Sequence, residues 1–224
     1  FPRKGNREMK KLLFAVSALA ALSLLAPSSG FAQHVYFNQI GLYTTNNALP
    51  DPLDPLVPIT GTDDVSVPTT VFLVLTKPAD GEVLYTGINA FECQLNFNPI
   101  GGIFMLSGAL ALPGINLGDD QNIASGFVEY IVGFNGSVPV TAEESAVLVT
   151  FTFLNNNAVP VEVTLSEPSA PSIPGGMAFK PDSQAVLKQM FPSSGDPDAP
   201  VFLFTGSAVA VENESFGAVK ALYR

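Results

Sequence analysis

The stretch Phe91-Glu92-Cys93-Gln94-Leu95-Asn96-Phe97 alternates apolar and polar residues at every step. Successive side chains of a β-strand point to opposite faces, so a period of two marks a strand with one buried and one open face. Phe91, Cys93, Leu95 and Phe97 share the apolar side. Glu92, Gln94, Asn96 and Asn98 project together from the other. Cys93 is the only cysteine, and its place among apolar neighbours predicts a buried, inert thiol rather than a nucleophile.

Similar runs lie on both sides of this one. Strands are predicted over 34–45, 65–76, 87–98, 103–112, 124–134, 146–154, 159–165, 184–191 and 201–205. The breaks carry turn chemistry: Lys77-Pro78-Ala79-Asp80-Gly81, Pro113-Gly114, Asn135-Gly136, Asn155-Asn156-Asn157 and the Pro/Ser/Gly segment 169–176. Segment 46–62 contains Pro50, Pro52, Pro55 and Pro58. It reads as a loop or extended polyproline piece, because proline lacks an N–H and fixes φ. Val147, Val149, Phe151 and Phe153 are expected on one side of their strand. About 8–9 short strands with Gly, Pro and Asn turns predict an all-β fold, an antiparallel jelly-roll β-sandwich. An N-terminal signal helix and a short C-terminal helix are expected to flank it.

The export signal is read from residues 9–32. Lys10 and Lys11 follow Met9, an uncharged apolar run reaches Leu25, and Gly30-Phe31-Ala32 places small residues before a cleavage point at Gln33. The run is shorter than the ~20 residues that span a bilayer, so a cleaved signal is expected and no membrane span after it. Residues 1–8 read as upstream non-native sequence or as a fragment of a longer reading frame. A lipoprotein carries Cys directly after the cleavage point, and Gln33 stands there. The expected divisions are 33–206 for the sandwich, 207–214 for a spacer and 215–224 for a helical tail. A secreted, periplasmic or cell-surface location follows from the signal.

From Gln33 onward the chain carries 5 basic and 19 acidic residues, net −14. That charge repels phosphate backbones, so nucleic acid is excluded as a partner. The only histidine, His34, stands two residues into the expected mature chain, which disfavours His-based nucleophilic catalysis and multi-His zinc. A glycosidase needs two carboxylates facing a cleft, and Glu92 and Glu129 are the mid-strand acids available. Acids on the solvent face of a strand are ordinary, so no catalytic residue is assigned and no enzyme is expected. Paired loop acids offer hard oxygen ligands. Asp119 and Asp120 are the candidate Ca²⁺ site, without an EF-hand ladder, and no other cofactor is expected. Glu92, Gln94, Asn96 and Asn98 are the candidate ligand-binding row. Amides and a carboxylate side by side can hydrogen-bond sugar hydroxyls or a partner surface, whereas an antiparallel sheet normally keeps one such face in water. Phe216, Val219, Leu222 and Tyr223 recur at helical spacing, with Lys220 and Arg224 toward the end.

Three strand patterns resemble the cohesin and carbohydrate-binding-module superfamily of extracellular β-sandwiches. They are Val65-Ser66-Val67-Pro68 with 71–75, the stretch Ile88-Asn89-Ala90-Phe91-Glu92-Cys93-Gln94-Leu95-Asn96-Phe97, and Ala146-Val147-Leu148-Val149-Thr150-Phe151-Thr152-Phe153. The resemblance implies a jelly-roll sandwich without catalysis. It carries over no dockerin partner. The tail, Phe216-Gly217 with Lys220, Leu222, Tyr223 and Arg224, resembles a short tail of other exported bacterial proteins, with Phe216 where Trp is usual. That resemblance implies a sorting or docking tag. A terminal helix covering a sheet edge is the other reading. The functional expectation is a non-catalytic secreted binding or adhesion module, its partner an extracellular protein or polysaccharide. A carbohydrate-binding module using the polar strand face comes second, and an exported glycan-active enzyme third.

Overall fold

The alternating stretch is the centre of the architecture. A computed structural model describes residues 37–44, 59–61, 67–120, 123–156 and 160–204. The strands among them are β1 (Gln39–Tyr43), β2 (Ile59–Gly61), β3 (Thr69–Thr76), β4 (Ala79–Asp80), β5 (Val83–Leu84), β6 (Gly87–Asn98), β7 (Ile103–Leu110), β8 (Gly114–Asn116), β9 (Phe127–Pro139), β10 (Ser145–Asn155), β11 (Val161–Ser166), β12 (Met177–Pro181), β13 (Lys188–Pro192) and β14 (Phe202–Phe204). The expected signal segment, spacer and tail lie outside the described residues, as does His34. No helix among the described residues is long and apolar enough to cross a membrane.

Two layers face each other. One has the order β1-β3-β10-β7. In the other, β6 pairs along one edge with β9, and β9 with β8. The opposite edge of β6 is shared: Ile88–Glu92 takes β12 and Gln94–Asn98 takes β11. β14 and then β2 extend the layer beyond β11. β13 pairs with β12 and also, in parallel, with β1, which joins the layers at one side. The predicted apolar face of β6 is fully buried, with Phe91, Cys93, Leu95 and Phe97 all in the core. Aromatic rings bridge the layers. Phe153 of β10 meets Phe97 of β6 at 5.7 Å and Phe204 of β14 at 5.4 Å, and Phe151 meets Tyr130 of β9 at 5.8 Å.

The all-β sandwich expected from the sequence is present, and several details differ. The pairing is mixed rather than purely antiparallel, because β1–β13 and β2–β14 run parallel. Nine strands have five residues or more and five are shorter; β14 falls within the expected strand at 201–205, whereas β2, β4, β5, β8 and β12 fall outside the expected strand ranges. Asn135-Gly136 is no hairpin turn. It lies within β9, where Phe134, Asn135, Gly136 and Ser137 stand against Asn89 alone, between the pairs Ala90↔Gly133 and Ile88↔Val138. Gly136 takes φ 132°, a conformation open to glycine, so the excursion uses the residue that would have made a turn. Pro113-Gly114 opens β8 instead of ending the sheet, and β2 lies in the proline-rich segment. The expected common side of β10 fails at one residue. A bulge between Val147 and Val149 changes the phase. Ala146 and Leu148 face the core before it, Val149, Phe151 and Phe153 after it, and Val147 packs with Tyr43, Phe72 and Val74 on a separate cluster.

Candidate functional site

The polar side of β6 is not an open face. The chain leaving β11 crosses it, and Pro168 is buried there. Glu92 is 5 % exposed and Glu129 6 %. The Ser172 N–H donates to Glu92 Oε1 and the Ser172 hydroxyl to Oε2, each at 2.7 Å. The Ser169 N–H and hydroxyl donate to Glu129 Oε1 at 2.5 and 2.8 Å. Each carboxylate thus receives two donors from the loop and fastens it across the sheet. Charge-assisted bonds of this kind are the strong ones, and they satisfy acids that could not otherwise be buried. Gln94 lies opposite Glu129 in the register. Its amide donates to Asn96 Oδ1 at 2.6 Å, and the Asn96 amide donates to the Ser166 hydroxyl at 3.0 Å. Asn98, at the strand end, is exposed. Glu92 is thus bonded to the loop, Gln94 and Asn96 are bonded to each other and to Ser166 at the end of β11, and Asn98 stands apart from both groups.

Beside this loop the same layer presents an apolar groove of about 490 Å³. Ile115, Leu117, Ile131, Leu187 and Ala178 line it, and Glu92 and Ser172 form its polar side. Two of these residues are held out into solvent, Ile115 at 69 % and Leu117 at 78 % exposure. The local backbone explains why. Asn116 Oδ1 accepts from the Ile131 N–H at 2.9 Å and from the Gly118 N–H at 3.0 Å, so a side chain replaces a ladder bond and turns the chain. The Leu117 N–H then donates to Ile131 O, and the Glu129 N–H to Asp119 O, both at 2.9 Å. At Gly118 an added Cβ would collide with the Glu129 carbonyl. Only glycine lets segment 114–119 lie flat on β9 with Leu117 turned outward.

Asp119 and Asp120 follow directly. Asp119 is exposed and Asp120 half-buried, and the Asp120 charge helps raise the Tyr130 hydroxyl above its ordinary range, after burial, which is the larger cause. Among the described residues no group of three His, Cys, Asp or Glu side chains stands together as a metal site. Cys93 is wholly buried, and burial, with the Glu92 charge second, pushes its thiol up. The tail residues Phe216, Gly217, Lys220, Leu222, Tyr223 and Arg224 lie outside the described residues. The groove is hard to read from the sequence because Pro113-Gly114 carries turn chemistry and β8 is only three residues long. The available signal was Ile115 and Leu117 themselves, two large apolar residues spaced by two in a Gly- and Asn-rich setting.

No family model matches the chain, and no curated protein is similar to it in sequence. Among solved structures it is similar to a cohesin module from the family 33 glycoside hydrolase of Clostridium perfringens, with TM-score 0.43 and 8 % identity over 69 % of this chain and 90 % of that one. It is also similar to the second type II cohesin module of the adaptor ScaA scaffoldin of Acetivibrio cellulolyticus, with TM-score 0.38 and 11 % identity over 84 % of this chain and 98 % of that one. The sandwich assignment rests on the strand pairing above, and no residue role passes from these modules to this chain.

Proposed function

We propose that this β-sandwich is a non-catalytic module of an exported protein, and that it binds a protein partner outside the cell through the groove beside β8. The carrying observation is the exposure of Ile115 and Leu117 over an apolar floor that includes Ile131 and Leu187. Single exposed apolar residues are ordinary, but a contiguous group with polar neighbours is characteristic of an interaction site. An open apolar trough of this kind suits the side chains of a protein segment, with Glu92 and Ser172 at its edge as a polar rim. The non-catalytic reading is supported by the use made of the two strand acids. Glu92 and Glu129 each hold loop donors, where a glycosidase would turn them to substrate. The test is capture from the extracellular fraction of the source organism, with wild type and Leu117→Asp compared side by side. A protein retained by wild type and lost with the variant supports the reading. Equal retention, or polysaccharide turnover that disappears in Glu92→Gln, overturns it.

The carbohydrate reading comes second, and one observation keeps it in view. Gln94 and Asn96 are aligned and half-buried beside the exposed end of β6. Sugar binding lost in Gln94→Ala and Asn96→Ala would favour it over the groove.

A further inference from the structure

We propose that β7 is a self-complementary edge, and that two copies of this chain join through it as an antiparallel, two-fold pair that continues the β1-β3-β10-β7 layer across both molecules. Among the described residues β7 pairs only with β10, and it is the last strand of its layer. Such an edge presents unpaired N–H and C=O groups and is a template for a further strand. Charges and proline protect many edges, and Ile-Phe-Met-Leu-Ser-Gly-Ala-Leu at 103–110 has neither; its one irregularity is a bulge at Leu106. Phe104 is 49 % exposed and Leu106 54 %, and Ser107, Gly108 and Ala109 are exposed as well.

Two features select a second copy as the occupant. The first is charge. From Gln33 onward the chain is net −14, so two copies repel over most of their surfaces, yet 99–118 contains no charged residue at all. The second is size. The first half of β7 is bulky (Ile103, Phe104, Met105, Leu106), whereas the second half is mostly small (Ser107, Gly108, Ala109, then Leu110). A two-fold axis between Leu106 and Ser107 sets Phe104 opposite Ala109, Met105 opposite Gly108 and Leu106 opposite Ser107. Phe104, Met105 and Leu106 each meet a small residue, Ile103 and Leu110 meet each other at the two ends, and the contact is isologous: residue i meets j, and j meets i. The β7–β10 register shifts between Met105 and Ser107, leaving Leu106 as the extra residue. That bulge falls at the axis, so both copies bend at the same place.

The test uses the full chain in sedimentation equilibrium and a disulfide trap. Wild type is expected to dimerise reversibly. Ala109→Lys, an exposed position, is expected to weaken the dimer by about tenfold or more while leaving unchanged the melting temperature measured at concentrations where the chain is monomeric. Across an antiparallel pair Cα atoms are about 4.5–5.5 Å apart, within disulfide range. The double variant Phe104→Cys with Ala109→Cys should therefore form a covalent dimer on mild oxidation, and neither single variant should. Cys93 is buried and does not compete. If Ala109→Lys fails to fold, the double variant still decides. A chain monomeric at every concentration reached overturns the proposal, and so does a dimer that ignores Ala109→Lys and is not trapped by the cysteine pair.

Discussion

At the scale of single residues, buried polar groups set the chemistry. Glu92 and Glu129 look alike in sequence to the solvent-facing acids that strands usually carry, yet both are buried under donors from one loop. Removing the Glu92 carboxylate with Glu92→Ala strips the Ser172 N–H and hydroxyl of their acceptors. The expected cost is roughly 1–3 kcal/mol in urea unfolding, with Glu92→Gln costing less because it keeps one acceptor oxygen. Cys93 gives a second prediction. It should resist alkylation in the native protein and react at once on unfolding. Its raised thiol has a pH consequence with a definite sign. The unfolded thiol ionises above its ordinary value of 9.0, whereas the folded one stays protonated. The unfolded state then holds fewer protons, so stability falls as pH rises past 9, by about 1.4 kcal/mol per pH unit for one group. Tyr43 and Tyr130, also pushed up by burial, add to the fall above 10.0. Cys93→Ala should flatten the onset of this loss.

At the scale of elements, β6 and β10 are the two strands around which the layers close. Phe153 touches Phe97, Phe151 and Phe204, so Phe153→Ala should destabilise by about 3–5 kcal/mol in chemical denaturation. Leu117→Ala, at an exposed position, should change stability by no more than about 0.5 kcal/mol. The strict alternation of 91–97 was legible because its apolar face packs on one core along its whole length. The bounds of β6 agree with expectation at both ends. β10 was legible as a strand but not in phase, since a bulge is set by the partner register and leaves no mark in a list of apolar residues. The cover over the outer face of β6 is likewise absent from the local sequence. The segment that covers it, Ser169 to Ser172, is more than seventy residues away in sequence, and no local pattern announces a loop that folds back over a sheet. Asn-Gly at 135–136 carried true turn chemistry, spent on an excursion inside β9 rather than on a hairpin.

At the scale of the whole molecule, a single aromatic core joins two layers, and a strongly acidic surface surrounds an uncharged window at 99–118. Self-repulsion in the acidic chain should be relieved by screening, so the melting temperature should rise between low and physiological ionic strength. The groove on one layer and the β7 edge on the other both draw exposed apolar residues from that window. The central claim is that the groove beside β8 receives a protein partner. Hydrogen–deuterium exchange of the chain with and without the captured partner tests it most directly. The account predicts new protection at 114–118, 131–134 and 186–187, with the edge at 103–110 unchanged by the partner. Protection confined to 94–98 and 162–166, with segment 114–118 still exchanging freely, would contradict it.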